Sequence, residues 1–451
     1  MKTILLLLAM LSVFGARLSA QDYRAFSTSD GTISVRAALL RVEPDLTGAR
    51  MAVLRRQGDG AVVRVRVDLL SAEDAKYVKE FEALMSVPAT MRGRLTVGSR
   101  AELRKANGSS FAAAEAAVEQ GLLWLSQKQN PDGSWGTTHL AAMTGLSLLA
   151  FAGHGYGPGS DRYGETITKG ILRLMAMAAK NPKPFAGVFS ETPAIIKSTY
   201  EHAIAMQALV ELYAFSERGT KAPPGLAEAI IKGEGIIIRN QTPAGAWGYK
   251  DGIGYDPYGG NDLCVSGWQI PALSACRDGG FKNDQRSAAL KKAMNYLLSK
   301  QTADGGFGAT ERQGYYNQWN LTGSALYGLA GTSQSSAMDW AGRRRGTDWL
   351  HNFVKKEPLQ WTKECSLHSW YFNSLAMFVA GGEAWTTWNS MCEPLLLTNQ
   401  NPDGSWKAEG AATLAASSSA AAGKDQDIYR TCLAALILET PCRFIRPAVK
   451  K

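Results

Sequence analysis

A short turn that occurs four times constrains this chain more than any other feature. Gln129-Asn130-Pro131-Asp132-Gly133-Ser134-Trp135-Gly136 returns as Gln241-Thr242-Pro243-Ala244-Gly245-Ala246-Trp247-Gly248, as Gln301-Thr302-Ala303-Asp304-Gly305-Gly306-Phe307-Gly308 and as Gln400-Asn401-Pro402-Asp403-Gly404-Ser405-Trp406. Each copy follows an apolar segment such as Gly121-Leu122-Leu123-Trp124-Leu125. Glycine takes the backbone conformation other residues resist, Asp or Asn bonds locally, Gln reaches the chain, and the aromatic covers the helix end. Every copy therefore reads as a helix that ends in a turn.

Between the first two copies Gly187-Val188-Phe189 is a worn version, and between the last two Pro358 to Trp361 holds the expected place. Six units of roughly 50 to 60 residues imply a repeat architecture. A second helix follows each turn: His139 to Phe151, Tyr200 to Phe215, Leu263 to Cys276, Trp319 to Leu329, His368 to Phe378 and Ile428 to Leu438. These segments are apolar nearly all round and rich in Ala, Gly and Ser, as helices buried on both sides must be. Two concentric rings of helices satisfy that pattern.

The repeats resemble the QW-type motifs of the terpenoid cyclase and protein prenyltransferase β-subunit superfamily, over residues 111 to 440. The resemblance implies a mainly α fold, an (α/α)6 toroid with a central cavity at one end of the inner helices. It settles no activity, since such barrels serve cyclases, prenyltransferases, complement-type thioester domains and proteins without known chemistry.

The rest of the chain divides by composition. Lys2, the apolar run Ile4 to Phe14 and the pair Ser19-Ala20 have the order of a secretory signal peptide over 1 to 20, too short for a membrane span. The expected mature chain starts at Gln21 and is secreted or periplasmic, with no integral membrane segment. Residues 24 to 83 carry strand character at Thr32 to Val42, Ala49 to Arg56 and Ala61 to Leu70, where Val63, Val65 and Val67 alternate with Arg64 and Arg66. Ser71-Ala72-Glu73-Asp74 then reads as a helix start. Ser29-Asp30-Gly31-Thr32, the hairpin and the run Val67 to Tyr77 resemble the SLA homology domain, an SH3-like β-barrel, which implies a docking module with a protein partner. Residues 84 to 110, with Pro88, Gly93, Gly98 and Asn107-Gly108, read as a linker.

Bulk properties exclude some classes. The formal charge of +9 is dispersed, with one local run at Arg343-Arg344-Arg345, and no basic face interleaved with aromatics points to nucleic acid. All six cysteines lie in the second half, a spacing that is no disulfide framework, so buried thiols fit as well as bridges.

Candidate chemistry centres on the inner helices. Aligned on Leu146, Leu209, Leu273, Leu326, Leu375 and Leu436, the position seven residues earlier is His139, His202, Ser266, Trp319, His368 and Tyr429. Those six form either a polar ring of ligand contacts or a set of side chains that fix the neighbouring turns. Asp262-Leu263-Cys264-Val265-Ser266-Gly267-Trp268-Gln269 is similar to the prenyltransferase segment that carries the first two zinc ligands, which makes Asp262 and Cys264 metal candidates and Trp268 a cavity candidate. The family's third ligand, a histidine, matches Arg430 in Asp427-Ile428-Tyr429-Arg430-Thr431. Arginine has no lone pair for a metal, so the site is incomplete unless His368 or His202 swings in, and Asp262 is free to pair with Arg430 instead.

The Asp-x-Asp-Asp acid of the squalene-to-hopene cyclases is missing, as is the Cys-Gly-Glu-Gln thioester run. The sequence thus favours a non-catalytic binding or scaffold protein with an apolar or peptide ligand and no cofactor. The alternative is a zinc-dependent prenyltransferase-like or terpenoid-cyclase-like enzyme.

Overall fold

In the computed structural model the described residues are 23–183, 186–191, 198–216, 222–248, 261–308, 318–332, 337–361, 366–406 and 425–443. The expected signal peptide, the position of Cys365 and most of the segments that lead into inner helices lie outside them. The chain forms two units, split between Arg92 and Gly93.

The alternation of valine and arginine near residue 65 places a strand with one inward face in the first unit. Strands β1 (Arg24–Ser27), β2 (Ser34–Pro44), β3 (Arg50–Arg56) and β4 (Val62–Arg66) form an antiparallel meander in the order 1-2-3-4. Val67 and Leu70 join Phe26, Ala37, Ala52, Leu54 and Val78 in its core. The backbone after β4 returns to β1: Ser29 N–H donates to Leu69 O and Ser71 N–H to Ser27 O, each at 2.9 Å. Ser71 caps helix α1 (Ala72–Ser86), accepting from Asp74 N–H. The Asp74 carboxylate in turn accepts from Ser27 N–H at 2.8 Å, which ties the helix start to β1. β1 escaped the sequence reading because four residues are too few for a period-two pattern.

In the second unit outer and inner helices alternate along the chain. After α2 (Val97–Ala106), the outer helices are α3 (Ala112–Gln127), α5 (Gly164–Lys180), α7 (Leu226–Arg239), α9 (Arg286–Ser299), α11 (Ala337–Lys356) and α13 (Gly382–Thr398). The inner ones are α4 (Leu140–Gly153), α6 (Ser198–Phe215), α8 (Leu263–Asp278), α10 (Gln318–Gly331), α12 (Leu367–Ala380) and α14 (Gln426–Arg443). Each inner helix packs on the next and α14 packs back on α4, so six helical hairpins close a ring. The toroid expected from the repeats is the fold observed.

The turn chemistry explains the ring. Gln129, Gln241, Gln301 and Gln400 each donate Nε2–H to the carbonyl of their own turn glycine, and to a carbonyl of the neighbouring outer helix: Thr166, Ala289, Gly342 and Ala117, at 2.8–2.9 Å. Three residues further along the same helices lie Lys169, Lys292, Arg345 and Gln120. Their carbonyls would be less than 3.0 Å from a Cβ at Gly133, Gly245, Gly305 and Gly404, whose φ values are +90°, +90°, +101° and +94°. Glycine is required twice over, by its left-handed backbone and by the helix it touches. The ring nitrogens of Trp135, Trp247 and Trp406 donate to the carbonyls of Leu125, Ile237 and Leu396, closing the end of the preceding helix at 2.7–2.8 Å.

Residues 84–110 are not the linker their glycines suggested. α1 runs on to Ser86, and α2 lies against α14 with Arg94, Arg100 and Arg104 buried. Arg94 donates to Glu211 at 2.6 Å, Arg104 to the Leu438 carbonyl at 2.8 Å, and Arg100 to the carbonyls of Arg94 and His154. Three buried arginines are unreadable as core in a sequence because arginine is ordinarily exposed. Here carbonyls and carboxylates, most of them at the C-terminal ends of the inner helices, take up part of their donors, while Arg94 Nε and Arg104 Nε and Nη2 have no partner among the described residues. Burial alone would raise the Glu211 carboxyl, but Arg443 and Arg94 outweigh it and hold it at about 2. Burial pushes Glu439 up to about 8, against smaller opposing effects of His154 and Arg443.

Two predictions follow from these packing facts. Gly404→Ala should cost about 1–3 kcal/mol through backbone strain and collision with the Gln120 carbonyl. Gly280→Ala has the same sign of φ but nothing within 4 Å, so in urea unfolding it should cost less. Glu439 binds a proton in the folded state up to about pH 8 but unfolded only to about 4.5, so its contribution to stability is complete below 4.5 and lost as pH rises towards 8. Unfolding followed across that window should show the decline in the wild type and a flatter profile in Glu439→Gln.

Candidate functional site

The starts of the inner helices sort the ten candidate residues into different roles. The backbone N–H of five turn aromatics is taken by a side chain one helical turn or so into the following inner helix. Trp135 donates to Thr144 Oγ1, Phe189 to His202 Nδ1, Trp247 to Ser266 Oγ, Phe307 to Thr322 Oγ1 and Trp406 to Thr431 Oγ1, all at 3.0–3.1 Å. These residues are the true structural equivalents. His139, Trp319 and Tyr429 precede Thr144, Thr322 and Thr431 by five, three and two residues, so the six aligned positions are not structurally equivalent. Counting back from a shared leucine failed because that leucine stands between two and seven residues after the anchoring side chain, not at one fixed distance.

His202 and Ser266 therefore fix turns and do not line the lumen. His202 Nε2 also contacts the Gly233 carbonyl at 3.0 Å, on outer helix α7, which accounts for both ring nitrogens. Trp319 stacks on Phe353 and lies 6.1 Å from Trp388, so it belongs to the layer between inner and outer helices. Asp262 is the N-cap of α8: its Oδ1 accepts from Val265 N–H at 2.8 Å, and its own N–H pairs with the Trp247 carbonyl. Arg430, fully buried, has its guanidinium 5.1 Å from the Trp361 ring centre.

Four candidates gather inside the ring. Cys264 Sγ lies 3.9 Å from His368 Nε2, bridging α8 and α12. Trp268, one turn further along α8, packs on His368, Tyr371 and Phe372 with ring centres 5.0–6.0 Å apart. Tyr429 on α14 is close enough to Cys264 for the thiol to affect its hydroxyl. Burial lowers the His368 imidazole to about 3, so it is neutral at any ordinary pH. The result is one thiol and one neutral imidazole in an aromatic wall. Among the described residues, no group of three or more His, Cys, Asp and Glu side chains is placed to hold a metal ion. The described cysteines 264, 276, 392, 432 and 442 are all buried.

Two residues at the same pole went unnoticed in the sequence. Glu201 on α6 contacts His139 Nδ1 at 2.9 Å and accepts from the Ser190 hydroxyl. Asp425, just before α14, accepts from both the backbone and the hydroxyl of Thr137 and of Thr138. Neither carboxylate sits in a recognisable motif; a Glu inside an otherwise apolar inner helix was the available signal.

No family model and no curated protein matches the sequence. Among solved structures, a variant of the type II terpene cyclase MstE from Scytonema in complex with geranylgeranyl dihydroxybenzoate aligns at 12% identity and a TM-score of 0.49, covering 74% of this chain and 98% of that one. A second MstE variant aligns at 11% identity and 0.48, with the same coverage. A protein from Actinoplanes aligns at 15% identity and 0.45, covering 73% and 98%. Likenesses this distant carry no functional argument, and the toroid rests on its own closed ring of helices. No described helix is long and apolar enough to cross a membrane.

His202 gives this site a pH signature. Burial lowers its folded pKa to about 4 from 6.5, so the stability it contributes is present above 6.5 and lost as pH falls towards 4. Protonation also removes the Nδ1 lone pair that accepts from Phe189 N–H. Acid unfolding of His202→Ser should show a shallower loss between those pH values than the wild type, on top of a pH-independent cost of about 1–3 kcal/mol for the void.

Proposed function

We propose that the chain is an exported binding protein whose toroid receives an apolar ligand, and that the N-terminal domain is a docking module. The observation that carries this reading is the composition of the inner wall around Cys264 and His368. Where prenyl transfer needs three metal ligands, this wall offers one thiol, one neutral imidazole and the rings of Trp268, Tyr371, Phe372 and Tyr429. Aromatic side chains bring large apolar area with fixed geometry and suit an apolar ligand better than a charged intermediate. Arg430 in place of a histidine argues in the same direction, since a guanidinium cannot bind zinc.

The return of residues 69–71 onto β1 supports an SH3-like reading of the first unit. The basic, then apolar, then small-residue order of residues 1–20 supports export, with a mature chain from Gln21. A zinc-dependent prenyltransferase-like enzyme is the competing reading, and Asp262 with Cys264 is what favours it.

Mass spectrometry of the full chain as isolated without chelator tests all of this at once. The expected result is a chain beginning at Gln21 that retains an apolar molecule and carries no stoichiometric zinc. Zinc that disappears in Cys264→Ala, or turnover of a polyprenyl diphosphate that disappears in Asp262→Asn, would overturn it.

A further inference from the structure

Residues 93–106 are fastened to the C-terminal ends of the inner helices by charge and not by apolar burial. The buried residues of α2 are Arg100 and Arg104 alone, and no side chain of 93–106 joins the apolar cluster that fills the toroid. Arg94 donates to Glu211 at 2.6 Å and to the Ala152 carbonyl at 3.2 Å. Arg100 donates to the His154 carbonyl at 3.2 Å and to Glu115 at 3.0 Å, and Arg104 to the Leu438 carbonyl at 2.8 Å. A segment held by a few polar contacts opens at a lower cost than one rooted in a core.

Glu439 of α14 lies at the same end, 1% exposed, and neither of its carboxyl oxygens has a hydrogen-bond partner among the described residues. The carboxyl presses on α4, where it leaves no room for a Cβ at Gly153. The charges that face it are His154 at the end of α4, Arg443 on its own helix, and Arg94 and Arg104 from 93–106. His154 Nδ1 is 4.0 Å from Glu439 Oε1, while Nε2 lies 3.2 Å from Glu119 and 3.4 Å from Glu115. Arg94 and Arg443 are bonded to Glu211, and the two spare donors of Arg104 do not reach the carboxyl. Behind these groups Tyr371 accepts from Arg443, and Glu119 accepts from Tyr156 and Arg162. A buried carboxyl without a donor is stable only with its proton on.

We propose that residues 93–106 are a proton-controlled clasp on this end of the toroid, shut while Glu439 keeps its proton and released as the carboxyl ionises. Opening lifts Arg94 and Arg104 away and lets water solvate the charge; it is local and precedes unfolding of the ring. Burial holds the proton on Glu439 to about pH 8 with the clasp shut, against about 4.5 in water. The shut state is therefore fully favoured below 4.5 and loses that advantage as pH rises towards 8. His154 acts in the same sense. Burial would lower it, but Glu115 and Glu119 raise it above 6.5, and this support is lost as pH rises through the raised value. Glu115, Glu119 and Glu211 are drawn below 4.5 against the effect of burial by the groups bonded to them, so they weaken the clasp only in acid.

Hydrogen–deuterium exchange of the full chain, read by mass spectrometry at pH 6 and pH 9 and divided by the intrinsic rate at each pH, tests the clasp. Amides of 97–106 should be about tenfold or more less protected than those of α9 at both values. Their protection should fall roughly a hundredfold from pH 6 to pH 9. In Glu439→Gln, which keeps the shape of the protonated acid, the fall should shrink to about threefold. Cys442, with its thiol 3.6 Å from the Arg100 carbonyl, gives a second readout that needs no variant. Its alkylation by iodoacetamide, relative to free cysteine at the same pH, should rise in the wild type over the same window. Protection of 97–106 that does not change with pH, or that equals the protection of α9 at both values, would overturn the clasp. So would a fall that persists in Glu439→Gln, or a Cys442 as shielded at pH 9 as at pH 6.

Discussion

The seat of each turn on the next outer helix is the contact on which the rest of the toroid depends. A glutamine carboxamide spans its own turn and a foreign carbonyl, and a glycine four residues later lets the backbones touch. The last of these seats joins Gln400 and Gly404 to the first outer helix, at Ala117 and Gln120. A row of hairpins becomes a ring because its final turn finds on α3 the same surface that the earlier turns find on their neighbours. Once the outer ring is spaced this way, the inner helices have little freedom left. Their first turns are pinned by a hydroxyl or imidazole to the aromatic of the preceding turn.

The two ends of the inner ring have opposite characters. At the C-terminal ends, Arg94, Arg100 and Arg104 enter from 93–106 and meet backbone carbonyls and Glu211, which also accepts from Arg443. Charges so deeply buried are tolerated because most of them are paired or bonded, and removing one partner strands another. That pole is therefore closed by the chain itself. The pole where the inner helices start carries the thiol, the histidines and the aromatic wall, and it holds His139 and Trp319 only partly buried.

The stretch from Asp262 to Gln269 matches half of a metal site in residue type, yet Asp262 is used as a helix cap and Ser266 as a turn anchor. Serine and aspartate at the start of a helix are favoured for capping whatever else they do. Cys264 and Trp268 keep their inward positions because the helix phase puts them four residues apart on one face.

The sequence by itself determined the ring. Gly, Gln and an aromatic at fixed spacing are required locally, by one backbone conformation and two hydrogen bonds, and a local requirement leaves a legible mark each time it recurs. Only the tertiary structure decided which inner residues meet. His139 and Glu201, or Cys264 and His368, are brought together by the angular placement of whole helices and by connections of unequal length. It likewise decided that 84–110 holds buried arginines, because their partners at Glu211, His154 and Leu438 lie far along the chain. Long-range partners leave no periodic trace in a single sequence.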